Sequence, residues 1–175
     1  RGPVSWLSKA LGLTGCELLE PMPDMPPDSP ADHQAGSDAF RAPSGYGFGL
    51  VGDLPQAMPF KNFTLMLEKI LLPQGPVSNW RLCGQADKKI KRVAYCPGSG
   101  ASLAGNASAL GADIYITGDI KYHDALSAPL CILDVGHFCL EERMMLDFSK
   151  ILEASCPNLK FYFLPADNPF RQLAI

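Results

Sequence analysis

The chain has 175 residues, 18 Asp and Glu against 15 Lys and Arg, a formal net charge of −3, and 47% hydrophobic against 19% charged residues. That length suits one domain or two small ones, able to bury ~70% of the unfolded chain's surface, and the composition excludes a wholly disordered chain. The mildly acidic balance lacks the basic footprint of a nucleic-acid binder, and no apolar run reaches the ~20 residues of a membrane span.

The chain opens on Arg1 with no charged-then-apolar signal segment after it, so it reads as processed or as a fragment. The six cysteines, at 16, 83, 96, 131, 139 and 156, include no C-x-x-C pair. They read as reduced core thiols of a cytoplasmic protein.

Taken in order, Val4, Leu7, Ala10 and Leu11 share one helical face and Gly12 supplies a stop, so residues 3–12 are expected to be helical. A short strand is expected over 13–20. From Pro21 to Pro43 proline and small polar residues dominate, and this stretch reads as a loop or linker. Residues 45–54 alternate glycine with large apolar side chains, a strand against which another backbone or a ligand comes close. Phe60, Phe63, Leu67 and Ile70 mark a helix ending before Pro73, and 77–82 reads as a strand. Strands are then expected at 90–96, 113–117 and 130–135, helices at 101–110, 121–128 and 137–155, and a last strand at 160–164. Strands alternating with helices predict an α/β fold with a largely parallel sheet and flanking helices. The expected division is 1–20 as the remnant of a first lobe, 21–43 as linker and 44–175 as the α/β lobe.

In an open α/β sheet, ligands sit beyond the carboxyl ends of the strands. Three strand-to-helix loops meet there: Gly98-Ser99-Gly100, Gly118-Asp119 and Gly136-His137. The first, with Ser102, opens a helix and suits an anion; the competing reading is a glycine turn with a serine cap. His137 and Glu141, four apart, share a helix face, and imidazole with carboxylate suits Zn, Mn or Fe. Asp119 and His123 have the same spacing and read either as an acid/base pair or as groups orienting a metal-bound water. No Ser/His/Asp elbow is present.

The Gly98-Ser99-Gly100-Ala101-Ser102 string, the run Thr117-Gly118-Asp119-Ile120-Lys121-Tyr122-His123-Asp124-Ala125, and Asp134-Val135-Gly136-His137 with Glu141 together resemble the Nif-three-like family. Its members are also called dinuclear metal-centre proteins or GTP cyclohydrolase type 2 homologues. The resemblance implies two α/β lobes around a cleft holding two divalent metals, a metal-dependent hydrolase activity on a small anionic or nucleotide-like substrate, and assembly with copies of itself, often as a hexamer. By the same resemblance His137 and Glu141 are the metal ligands of the carboxyl-terminal lobe, and a His-His pair and an Asp come from the other lobe.

This sequence has no adjacent His-His pair, and it carries Pro97, Leu50 and Leu140 where the family usually has Gly, Arg and a small hydroxyl residue. A tight site needs about three protein ligands or more. The chain is therefore expected to be the carboxyl-terminal part of such a hydrolase, inactive by itself with an incomplete metal site. The alternative is a non-catalytic assembly or interaction protein whose metal site has degraded.

Overall fold

The computed structural model describes residues 5–22, 45–71, 80–86 and 89–170. Their elements are α1 (Trp6–Leu11), β1 (Thr14–Pro21), β2 (Gly47–Pro59), α2 (Phe60–Leu71), β3 (Arg81–Cys83), β4 (Lys89–Tyr95), α3 (Ala104–Ala109), β5 (Ile114–Thr117), α4 (Tyr122–Leu126), β6 (Ile132–Asp134) and α5 (His137–Ser155). A 3-10 turn, Ala101–Leu103, leads into α3, so the helix expected over 101–110 is tighter at its start. Most of the proline-rich stretch lies outside the described residues.

All six strands form one sheet in the order β1-β2-β4-β5-β6-β3. The α/β class is as expected, but the sheet is mixed rather than largely parallel. Only β4–β5 and β5–β6 run parallel, while β1–β2, β2–β4 and β3–β6 are antiparallel. The parallel centre is where helical crossovers join successive strands, and the antiparallel pairs flank it. The first described residues are built into this same sheet: β1 pairs with β2, and α1 buries Trp6, Leu7 and Leu11 in the main core.

The pleat sorts the strands' side chains onto two faces. Val93 and Tyr95, Ile114 and Ile116, and Leu133 and Val135 point to one face, where Leu7, Phe63, Leu67 and Leu140 from α1, α2 and α5 cover them. Ala94, Tyr115 and Ile132 point to the other, under Leu103, Ala104 and Ala107. Each large apolar side chain buried this way contributes about 1.5–3 kcal/mol. Arg143 of α5 donates to the Ile70 carbonyl (2.9 Å) and to Asp147 (3.0 Å), tying α5 to the end of α2.

Two expectations need correction or trimming. Residues 160–164 form no strand: β3 already occupies the free edge of β6, so the segment runs unpaired beside α5. The Ala166 N–H donates to Glu142 (2.9 Å), while Tyr162 and Leu164 stay 72% and 84% exposed. Of the strand expected over 77–82, the described part is β3, and residues 77–79 lie outside the described residues. No helix among the described residues is long and apolar enough to cross a membrane.

All six cysteines are free thiols. Burial pushes the Cys16 and Cys131 thiols up to about 11. A raised value leaves less thiolate at neutral pH, and the thiolate is the nucleophile. Both are expected to resist alkylation by iodoacetamide at neutral pH in the folded chain and to react once urea is added; mass mapping checks this. Phe63→Ala is expected to lower stability by about 3–5 kcal/mol through a core cavity. Leu164→Ala should change it by less than about 0.5 kcal/mol. Urea denaturation of both variants distinguishes core from surface.

Candidate functional site

The parallel strands β4, β5 and β6 end side by side, and the loops that follow them meet. The β4 loop is fastened onto the end of β5. The Thr117 hydroxyl accepts from the Gly100 N–H (2.9 Å) and donates to the Gly98 carbonyl (3.1 Å). The Tyr115 hydroxyl donates to the Gly100 carbonyl (2.8 Å), and the Gly118 N–H donates to Gly98 (2.9 Å). The β5 and β6 loops touch through backbone: a Cβ on Gly118 would lie 2.7 Å from the His137 nitrogen. Only glycine lets the two loops come this close.

At this junction stand His137, Glu141 and Asp119. His137 is the first residue of α5, and one turn on Glu141 brings Oε1 within 2.8 Å of His137 Nε2. On the other side of the ring Nδ1 lies 2.9 Å from Asp119 Oδ2. Gly98 backs the pair in a left-handed conformation (φ 73°); a Cβ there would meet Glu141 Oε1 at 3.1 Å. The three side chains are 43%, 45% and 55% exposed, so the cluster opens to solvent.

A histidine between two carboxylates has a clear hydrogen-bond inventory. Only a doubly protonated ring donates to both; a neutral ring donates to one and faces the other with a lone pair. When Nδ1–H donates to Asp119, Nε2 and Glu141 Oε1 present lone pairs to a common point, as a cation requires. A carboxylate on the non-ligating nitrogen is the usual way a metal-binding histidine is oriented. The donors thus fit one side of a divalent-metal site. They do not complete it, because no group of three His, Cys, Asp or Glu among the described residues is arranged to hold an ion.

Of the residues singled out in the sequence, the structure brings together His137, Glu141, Asp119 and Gly98. His123 lies apart: it is exposed on α4, its ring edge-on to Tyr122 (5.5 Å between centroids), and it makes no hydrogen bond or ion pair to Asp119. The loop chosen for an anion uses its Gly100 N–H internally, and Ser99 and Ser102 point their exposure to solvent.

One residue, quoted in the sequence only as part of the Asp134-Val135-Gly136-His137 string, has a role that string did not show. Asp134, the last residue of β6, is 2% exposed, and its carboxylate accepts from the N–H groups of Asp119 (3.2 Å), Ile120 (3.0 Å) and Gly136 (3.0 Å) and from Arg81 Nε (3.1 Å). The signal that could have found it is a lone charge inside the apolar run from Leu130 to Val135, since buried carboxylates are almost always paired.

The chain is thus an α/β protein with a mixed sheet whose strand-end loops gather an imidazole and two carboxylates. The family model for Duf34/NIF3 (NGG1p interacting factor 3) matches residues 1–169, and the chain belongs to that family. It is 42% identical over 98 residues to the GTP cyclohydrolase 1 type 2 homolog of Staphylococcus epidermidis, covering 54% of this chain and 26% of that protein. It is 34% identical over 124 residues to the protein of the same name from Bacillus subtilis, covering 69% and 32%. The chain therefore spans about a quarter to a third of the length of these curated relatives. Among solved structures, the Staphylococcus aureus hypothetical protein SA1388 superposes with a TM-score of 0.73 at 23% identity, over 98% of this chain and 64% of that one. A Bacillus cereus protein related to NIF3 gives 0.68 at 20% identity, over 89% and 64%. At those identities the likeness shows the fold.

Gly118→Ala is expected to destabilise by more than about 1 kcal/mol, because its Cβ meets backbone rather than a flexible side chain. Gly105→Ala, with open space around its Cβ and a helical site, should be neutral or stabilising by up to about 1 kcal/mol. Thermal unfolding of the two variants checks the contrast.

Proposed function

We propose that this chain carries one side of a divalent-metal site in a metal-dependent hydrolase acting on a small anionic, nucleotide-like substrate. The observation behind this reading is the convergence of His137 Nε2 and Glu141 Oε1, with Asp119 on the ring's other nitrogen. The relatives named GTP cyclohydrolase 1 type 2 homolog make cyclohydrolase-like opening of a nucleotide ring the favoured reaction class. The remaining donors come from outside the described residues, from further polypeptide or from another copy in a homo-oligomer. Zn, Mn and Fe all suit an imidazole and carboxylate set.

When bound, such an ion supplies a water whose pKa falls to ~7. The chain's own residues do the rest. Asp119 holds the His137 ring so that Nε2 faces Glu141. Gly98 keeps the space beside Glu141 clear, since any side chain there would crowd the carboxylate. Ser99 and Ser102 are the exposed hydroxyls available to an anionic group on the neighbouring loop. His123, exposed on α4, is the candidate to carry a proton between solvent and substrate.

The shortage of donors favours a second reading, a non-catalytic assembly protein that keeps the lobe and has lost the chemistry. Elemental analysis separates the two. The chain is incubated with Zn, Mn or Fe, desalted, and compared with His137→Ala and Glu141→Ala. Retained metal that both variants lose supports the metal site. Equal metal in all three overturns it; no metal in any is expected both of a fragment without its other donors and of a degraded homologue, and the two part when the chain is joined to polypeptide carrying a His-His pair, where continued absence of metal favours the assembly reading. Asp119→Asn is expected to weaken retention by about 10–100-fold, the usual effect of losing a ligand's orienting partner.

A further inference from the structure

We infer that Asp134, braced by Arg81, is the positioning residue that sets the His137 ring, although it touches neither metal nor substrate. The two oxygens of its buried carboxylate divide the work. Oδ1 accepts from the Asp119 N–H at 3.2 Å and from the Gly136 N–H at 3.0 Å. One atom therefore ties down both the residue that holds the His137 ring and the residue immediately before His137. Oδ2 accepts from the Ile120 N–H at 3.0 Å and from Arg81, whose Nη2 also donates to the Ile120 carbonyl at 2.9 Å. Ile120 is thereby clamped at both ends of its backbone, one residue beyond Asp119.

The conformation being held is one the backbone would not choose alone. Asp119 has φ 55°, the only described non-glycine residue in the left-handed region. Such a residue persists where its surroundings over-determine it, and such residues cluster at functional sites. Here the surroundings are the Asp134 bond to its N–H and the His137 bond to its carboxylate. The Val135 N–H, one residue after Asp134, donates to the Thr117 carbonyl (3.0 Å), so strand pairing delivers the carboxylate to both loops at once. Arg81, on a three-residue edge strand and with its side chain 62% exposed, makes the edge of the sheet part of the site.

An asparagine at 134 can satisfy one oxygen's partners but turns an NH2 group toward the other's. Facing the Arg81 guanidinium, it will place its oxygen there and its amide donor against the Asp119 and Gly136 N–H groups. The two loops then lose their common acceptor while the strand remains.

For its consequence in metal binding this role rests on the metal-site reading, so the experiment reads the ring directly as well. Histidine-15N-labelled full chain is examined by NMR in mildly alkaline buffer, with the His137 signals assigned by their loss in His137→Gln. The ring is read in a Glu141→Ala background, which removes the carboxylate 2.8 Å from Nε2 and leaves Asp119 on Nδ1, and zinc affinity is measured on the matching chains that keep Glu141. With Asp134 intact the ring is expected to show one tautomer, protonated at Nδ1. Asp134→Asn is expected to show a mixture, and to bind zinc about 10–100-fold more weakly. Arg81→Gln, exposed enough to fold should Asp134→Asn fail, is expected to move the ring signals in the same direction. Ile90→Ala, a core cavity at the start of β4 and so at the opposite end of that strand from the Gly98 loop, should leave ring and zinc affinity as in wild type; the same changes there as in Asp134→Asn would assign the effect to lost stability and overturn the positioning role. Wild-type ring signals in Asp134→Asn, or in Arg81→Gln where the first variant does not fold, overturn the inference. A chain that binds no zinc yet loses its single tautomer in Asp134→Asn upholds the positioning role and overturns the metal reading instead.

Discussion

A buried carboxylate at the end of a parallel strand is the constraint from which the site follows. Taking Asp134 out of water is costly unless its lone pairs are filled. The structure fills them with three backbone N–H groups and a guanidinium drawn from three separate segments. Those donors cannot reach one carboxylate unless the loops after β5 and β6 lie against each other. That contact in turn requires Gly118 to present no side chain to the His137 backbone. The geometry of Asp119, His137 and Glu141 is then a consequence: the loops are placed first, and the ring falls between two carboxylates.

The sheet supplies the platform. Alternation along β5, β6 and the end of β4 gives each central strand two buried faces, with α1, α2 and α5 on one and α3 on the other. Such strands are buried on both sides and leave only their ends for polar groups. Tyr115 and Thr117 use this by sending hydroxyls from the sheet's end to the backbone of the Gly98 loop. The polar groups of the site are thus supported by hydrogen bonds to elements whose own position is set by apolar packing.

Much of this was legible along the chain. The apolar spacing of α2 and α5 marked both helices closely, because a one-sided apolar stripe has few other uses in a chain of this composition. The central strands were equally plain as short apolar runs between turn residues. The four-residue spacing put His137 and Glu141 on one helix face, while their reading as ligands came from the family resemblance; the strand-end loops followed from their glycines. Less legible was the course of residues 160–164, which have a strand's composition and no strand's partner. Whether the outer edge of β6 is open to them depends on β3, about fifty residues before β6. Asp119's role was equally open, since local spacing pairs it with His123 as readily as any other assignment.

What the sequence determined by itself was local: where the chain turns, which stripes are apolar, and that an imidazole and a carboxylate stand one helical turn apart. These depend on neighbours within a few residues, whose chemistry is written in order. Tertiary structure alone decided the direction of the strands, the pairing of Asp119 with His137 across eighteen residues rather than with His123 across four, and the use of Asp134 as a common acceptor. Those outcomes depend on groups distant in sequence filling one buried carboxylate and one sheet edge, and competition for a shared partner in space leaves no periodic trace in the chain.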